Sequence, residues 1–400
     1  MKTTRARFLL LAAGAVSSAG IATSLLAACA ADESSAPLEA DAAVVPTPDA
    51  TTQDAGSDVD AAPCAVDCEY FPAECTADAL CPNGPFDPKD PTVGLDWRTR
   101  VNVIAGRSAS DLWIAGTVGT VAHFDGTAWT VSDTGTQAAQ HAFWLAPSGE
   151  FTIGTFDRIY SHGLDFDGIA DAGVSPGGWS RRPTPTIPSG FGRELTAGWA
   201  APGANAIWFG TSTDLWRLRL GTNSSLEVQP GIAASVCSSI PCQKMRSIHG
   251  ASASALFAVG DVGAAVRISG ADGDHPTASP LNTQTWTGLT GVWAASDTDA
   301  WAVGGSGTIR HYTGNDLQWN TETNVPTTEN LNGVWGASPT DVWAVGNAGV
   351  VLHYDGTSWS RVKIAGLGSR RPDLYSVWSP GPGHVWVGGM GVVLALGGKP

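Results

Sequence analysis

The run Asn332-Gly333-Val334-Trp335-Gly336-Ala337-Ser338-Pro339-Thr340-Asp341-Val342-Trp343-Ala344-Val345-Gly346 decides the fold, with its continuation Gly349-Val350-Val351-Leu352-His353-Tyr354-Asp355-Gly356 and Ser358-Trp359-Ser360. Its apolar runs are too short for helices, and Ser-Pro-Thr-Asp, Asn-Ala-Gly and Asp-Gly-Thr place turn chemistry between them. The upstream unit Gly291-Val292-Trp293, Asp299-Ala300-Trp301-Ala302-Val303-Gly304, His311-Tyr312 and Trp319 repeats it, as does Asp111-Leu112-Trp113, Gly116, His123-Phe124-Asp125-Gly126 and Trp129. The glycine closing the second strand recurs at Gly116, Gly154, Gly210, Gly260, Gly304, Gly346 and Gly389, at spacings of 38, 56, 50, 44, 42 and 43 residues. Four strands in each of seven units predict an all-β chain, a seven-bladed β-propeller with four-stranded blades.

The seventh unit stops after Val392-Val393-Leu394, one strand short, while Asp96-Trp97-Arg98 near the other end matches Ser358-Trp359-Ser360. The N-terminal strand at residues 95–100 is therefore expected to complete the last blade, leaving the ring no free edge. All seventeen tryptophans lie from Trp97 onward and are expected as wedges between blades.

These motifs resemble the repeats of propeller-forming lipoproteins of myxobacteria, V-W-x-x-S-x-x-D-V-W-A-V-G-x-x-G-x-x-x-H-Y-D-G-x-x-W, over residues 97 to 398. More distantly they resemble photosystem II assembly-factor propellers and Asp-box proteins. The resemblance implies architecture and location more than activity.

The N-terminus agrees with that location. Lys2, Arg5 and Arg7 precede an apolar stretch from Phe8, and Leu26-Ala27-Ala28-Cys29 resembles a lipobox. Residues 1–28 read as a lipoprotein signal peptide and Cys29 as the lipidation site. Residues 29–63 then form a disordered acidic tether, since eight carboxylates, no cation and almost no aromatic group cannot offset ordering entropy. Residues 64–92 are a cysteine-rich segment and 93–400 the propeller. The expected address is the bacterial cell envelope, as an outer membrane lipoprotein. In an exported chain Cys64, Cys68, Cys75, Cys81, Cys237 and Cys242 read as disulfide cysteines, with the connectivity of the first four open.

The formal net charge is −15, with only five lysines, so a nucleic-acid partner is not expected. Much of the acidity belongs to the tether. No phosphate loop, H-E-x-x-H or nucleophile elbow is present, and no cofactor is expected. His123, His311 and His353 share one repeat position and read as hydrogen-bonded fold residues, while Asp165, Asp167 and Asp171 resemble an incomplete calcium loop. Asp125-Gly126 and Asp355-Gly356 sit one residue closer to the following Trp than an Asp box requires, so they read as hairpin turns.

A polar residue recurs three positions before the aromatic of the innermost strand, a place held by Ala105 in the first unit: Asn102, Gln140, Thr196, Arg246, Thr290, Asn332 and Tyr375. With His249 these are expected to ring one channel mouth and contact a ligand, or else only water. The reading is a non-catalytic binding platform for a protein or ligand, monomeric, held to the membrane through Cys29. The alternative is a carbohydrate-binding or sialidase-like propeller, which would gather acidic and arginine side chains at that mouth.

Overall fold

The computed structural model describes residues 67–87, 94–164, 173–187, 195–221, 223–315 and 317–398. Seven four-stranded antiparallel sheets follow one another along the chain. Their inner strands are Val101–Ser108, Ala142–Ala146, Ala197–Trp199, Met245–His249, Leu289–Ser296, Leu331–Ser338 and Leu374–Gly381, here called blades 1 to 7. Helix is confined to three 3-10 turns and the four-residue Ala234–Cys237 among the described residues.

Local chemistry draws each hairpin. The Asp355 carboxylate accepts the backbone N–H groups of Thr357 and Ser358, both at 2.9 Å, and Asp125 does the same for Thr127 and Ala128 at 2.8 Å. The following Gly356 and Gly126 have φ of 93° and 91°, a region where a side chain is strained. These Asp-Gly pairs are thus turn formers between the third and fourth strands.

Blades are joined by aromatic wedges. Trp301 of blade 5 is fully buried and meets Trp359 of blade 6 edge-on at 5.4 Å. Between blades 5 and 6 the fit depends on glycine, because a Cβ on Gly336 would lie 2.4 Å from the Trp293 ring. Trp378 of blade 7 leans on Gly106 of blade 1 in the same way, at 2.6 Å. Two tryptophans depart from the wedge expectation: Trp97 is 50% exposed and Trp286 is 86% exposed.

Trp97 belongs to a correction. The strand that completes blade 7 comes from the N-terminal side, but it is Leu80–Pro82 and not residues 95–100. Its register is Leu80 to Leu396, Cys81 to Ala395 and Pro82 to Leu394. Ala79, Leu80 and Cys81 are 0–2% exposed, so this strand has an apolar face to bury. At Asp96 the carboxylate instead accepts the Arg98 N–H at 2.9 Å and the Asp96 carbonyl accepts that of Thr99, folding the segment into a turn. The cysteine-rich segment therefore supplies part of the propeller. Leu80 is also held from blade 6, donating to the Lys363 carbonyl and accepting from the Ala365 N–H.

Disulfides join Cys75 to Cys81 and Cys237 to Cys242, and Cys68 is disulfide-bonded too. Cys29, Cys64 and the calcium-loop candidates Asp165, Asp167 and Asp171 lie outside the described residues. No helix among the described residues is long and apolar enough to cross a membrane.

Candidate functional site

All seven inner strands contribute to one axial cavity of about 850 Å³. Asn102, Thr196, Arg246, His249, Thr290, Asn332 and Tyr375 line it together. Gln140 does not. It is fully buried, accepting from the Thr152 hydroxyl at 3.1 Å and donating to the Ala138 carbonyl at 2.8 Å, and its neighbour His141 lines the cavity instead.

The reason is a bulge. In blades 1, 4, 5, 6 and 7 the inner strand slips register at its start, between Val101 and Val103, Met245 and Ser247, Leu289 and Gly291, Leu331 and Gly333, and Leu374 and Ser376. The skipped residues are Asn102, Arg246, Thr290, Asn332 and Tyr375. A bulged residue leaves the ladder and its side chain is re-aimed. In blade 2 the strand begins at Ala142 with no slip there, so counting back from Phe143 lands one residue away from the cavity.

Several of these side chains also clamp the ring. The Asn102 amide donates to the Gln140 carbonyl of blade 2 at 2.8 Å, and the Asn332 amide to the Leu374 carbonyl of blade 7 at 2.8 Å. The Thr290 hydroxyl donates to the Leu331 carbonyl of blade 6. Each satisfies a backbone carbonyl of the next blade at the channel edge. The oxygens of both amide side chains remain as acceptors.

Charge at the cavity is one-sided. Arg100, Arg107 and Arg246 line it, and no Asp or Glu does among the described residues. Arg107 is neutralised by Asp111 at 3.1 Å and Glu150 at 2.6 Å, and Arg246 is paired with Asp261. The Arg100 guanidinium lies 3.7 Å above the Tyr375 ring. Arg107 stands five residues along the inner strand from Asn102, roughly 16 Å by strand rise, so the three arginines do not converge on one group.

Deeper along the strands the wall turns aromatic, with Phe143, Trp199, His249, Trp293, Trp335 and Trp378. His249 is 7% exposed, and its ring lies 4.8 Å from Trp199, 4.9 Å from Trp335 and 6.4 Å from Trp293. Nδ1 accepts the Ala294 N–H of blade 5 at 3.1 Å. Burial pushes the imidazole pKa down to about 3, so the ring is neutral at physiological pH. With Nδ1 accepting, the proton sits on Nε2.

The repeated histidines are engaged elsewhere. His123, His311 and His353 bond through Nε2 to Asp111, Asp299 and Asp341 at 2.9, 2.9 and 2.8 Å. Each stacks on the tryptophan of the neighbouring strand, with centroids 4.3, 3.8 and 4.2 Å apart for Trp113, Trp301 and Trp343. No cluster of three metal-ligating side chains occurs among the described residues.

Sequence reasoning missed Arg100 and His141. Arg100 precedes the strand and follows no repeat position; its backbone is held by Thr117 and bridged to Met390, and its guanidinium stacks on Tyr375 at the mouth.

Comparison with solved structures finds propellers. YCF48 bound to D1 peptide superposes with a TM-score of 0.55 at 15% identity, covering 79% of this chain and 96% of that one. YCF48 from Cyanidioschyzon merolae gives 0.56 at 15%, over 74% and 95%. Virginiamycin B lyase from Staphylococcus aureus gives 0.55 at 13%, over 75% and 94%. At such identities the likeness shows the fold alone. No family model matches the chain, and no curated protein matches it.

Proposed function

We propose that this protein is a membrane-anchored, extracytoplasmic lipoprotein whose propeller is a non-catalytic binding platform, engaging a protein or peptide partner at the channel mouth. The carrying observation is the cavity wall. Seven strands converge on polar and aromatic side chains, yet no Asp or Glu lines the wall among the described residues. Most glycosidases use two carboxyl groups facing one bond, and a sialidase-like site needs an acid Asp with arginines converging on one carboxylate, which Arg100, Arg107 and Arg246 do not do. Arg100, Tyr375 and the free amide oxygens are groups that recognise a ligand without transforming it. A propeller of similar fold is recorded with a bound D1 peptide, which fits a partner of this class. The lipobox-like Leu26-Ala27-Ala28-Cys29 and the acidic tether support anchoring at the outer membrane.

Two measurements test the reading. Palmitate labelling should mark the wild-type chain and be lost in Cys29→Ser. Cross-linking on intact envelopes should join the wild type to a defined partner, and Arg100→Glu should abolish that product while leaving the thermal midpoint unchanged. Recovery of a glycan in place of a protein would favour the carbohydrate reading, and an adduct indifferent to Arg100→Glu would remove the mouth from the account.

A further inference from the structure

Two groups in the channel have hydrogen-bonding capacity that the protein leaves unspent. The first is His249 Nε2–H. Nδ1 is committed to the Ala294 N–H, and Nε2 meets no partner among the described residues although the side chain is 93% buried, its exposure being 7%. Nε2 itself keeps some solvent access, and Trp199, Trp293 and Trp335 around it offer ring surface but no acceptor. The second is Arg100. Its guanidinium rests on the Tyr375 face and has neither a carboxylate nor a hydrogen-bond partner among the described residues. Both other arginines of the cavity are neutralised by carboxylates. Arg100 is exposed, and the carboxylate nearest its stacking partner, Asp373, meets the Tyr375 hydroxyl at 3.5 Å; the guanidinium is thus a group that an anion entering the cavity can pair with.

Strand geometry sets the depth between the two levels. Tyr375, under Arg100, and Trp378, at the aromatic level, are three residues apart on one strand, about 10 Å by strand rise, and His249 stands on the inner strand of blade 4. The aromatic level is lined by Phe143, Trp199, His249, Trp293, Trp335 and Trp378, with Ala105 at the corresponding place in blade 1.

We propose that the channel binds a small aromatic carboxylate, with its acid on Arg100, its ring among the tryptophans, and an acceptor atom on the far edge of the ring taking the His249 Nε2 hydrogen bond. The proposal deepens the platform reading by naming a ligand class for the same channel, and it rests on that reading only in placing binding there. The aromatic wall supplies stacking surface, His249 supplies direction without charge, and Arg100 supplies the preference for an anion.

The probe is 4-(4-methoxyphenyl)butyrate, which carries a carboxylate at one end and an ether oxygen on the far edge of its ring. Binding is read by quenching of tryptophan emission and by calorimetry, beside the matching amide and beside 4-phenylbutyrate, which lacks the ether oxygen. The wild type should bind the acid about 10-fold or more tighter than the amide, as a charge-assisted pair requires, and the methoxy acid about 5-fold tighter than the unsubstituted one. Arg100→Gln should erase the first preference and keep the second. His249→Phe should erase the second and keep the first; should that variant fail to fold, the ligand-side comparison on the wild type still decides. Equal affinity for acid and amide, equal affinity with and without the ether oxygen, or no saturable binding overturns the proposal. If probes fail while Arg100→Glu still abolishes the cross-linked adduct, the platform stands without this ligand. If probes bind as expected while the adduct is indifferent to Arg100, the platform reading falls and the ligand site remains.

Discussion

Acidification should destabilise the propeller through His249, and replacement of that residue should remove this part of the response. The folded-state pKa is about 3 because the ring is buried, whereas the unfolded chain exposes an imidazole with its ordinary value of 6.5. Between those values the unfolded state binds a proton that the native state refuses, so stability rises with pH across this window and is lost as pH falls through it. Two units below the unfolded pKa, near pH 4.5, the linkage amounts to roughly 3 kcal/mol at about 1.4 kcal/mol per unit. For a domain of this size that is a fall of about 4 °C in thermal midpoint. Carboxylates and other histidines titrate over the same range, so the informative quantity is a difference of differences. His249→Gln keeps an acceptor within reach of the Ala294 N–H but has no titration of its own. At pH 7.5 the variant should be less stable than wild type by about 1 kcal/mol for its poorer packing. At pH 4.5 the order should reverse by about 2 kcal/mol. Urea titrations followed by tryptophan emission at both pH values measure it. Parallel pH curves for the two proteins would refute the reasoning, because they would mean that the imidazole is either hydrated or protonated in the native state.

Four further outcomes follow from the packing. Leu80→Ala, at a fully buried position of the closing strand, should cost about 2–4 kcal/mol and lower the denaturation midpoint, whereas Trp97→Ala, half exposed in its turn, should move it little. Gly336→Ala drives a methyl group to within 2.4 Å of the Trp293 ring and should cost about 1–3 kcal/mol by the same assay. Asp341→Ala strips the acceptor shared by His353 at 2.8 Å and the Trp343 indole at 2.7 Å, and should destabilise by about 1–3 kcal/mol, with a shift in tryptophan emission. Trp286→Ser, at 86% exposure, should leave stability within about 0.5 kcal/mol, a control for the emission assay.

The blade architecture was legible because its determinants repeat. Gly336 faces Trp293 and Gly106 faces Trp378, so one packing requirement writes the same residue pair into different blades, and the sequence period follows from the ring. Turns were legible for a similar reason: the Asp355 carboxylate and the φ of Gly356 act within four residues of chain. The closing strand was not. Leu80–Pro82 is three residues long and carries no repeat motif, and it becomes a strand through the edges offered by Leu394–Leu396 and by the backbone at 363–365. Trp97 carried the motif residue but sits where Asp96 captures its own backbone.

The mouth residues stand between these cases. Counting back from an aromatic found the bulged position in blades 4, 5, 6 and 7, and the same count from Ala105 finds it in blade 1, because there the bulge and the inner-strand position keep a fixed separation. It failed at Gln140, where no bulge intervenes and the polar side chain is consumed by Thr152 and Ala138. The same bulge explains why polarity at this position has two uses at once. It frees a side chain toward the axis, and that side chain reaches a backbone carbonyl of the next blade, as Asn102, Thr290 and Asn332 do. Recurrence therefore marks the clamp, and binding capacity has to be sought in residues that escape the clamp. Arg100 lies outside the repeat, and His249 stands where blades 5, 6 and 7 have tryptophan. A ring that needed only closure would gain more from a tryptophan at 249 than from an imidazole with one nitrogen unanswered.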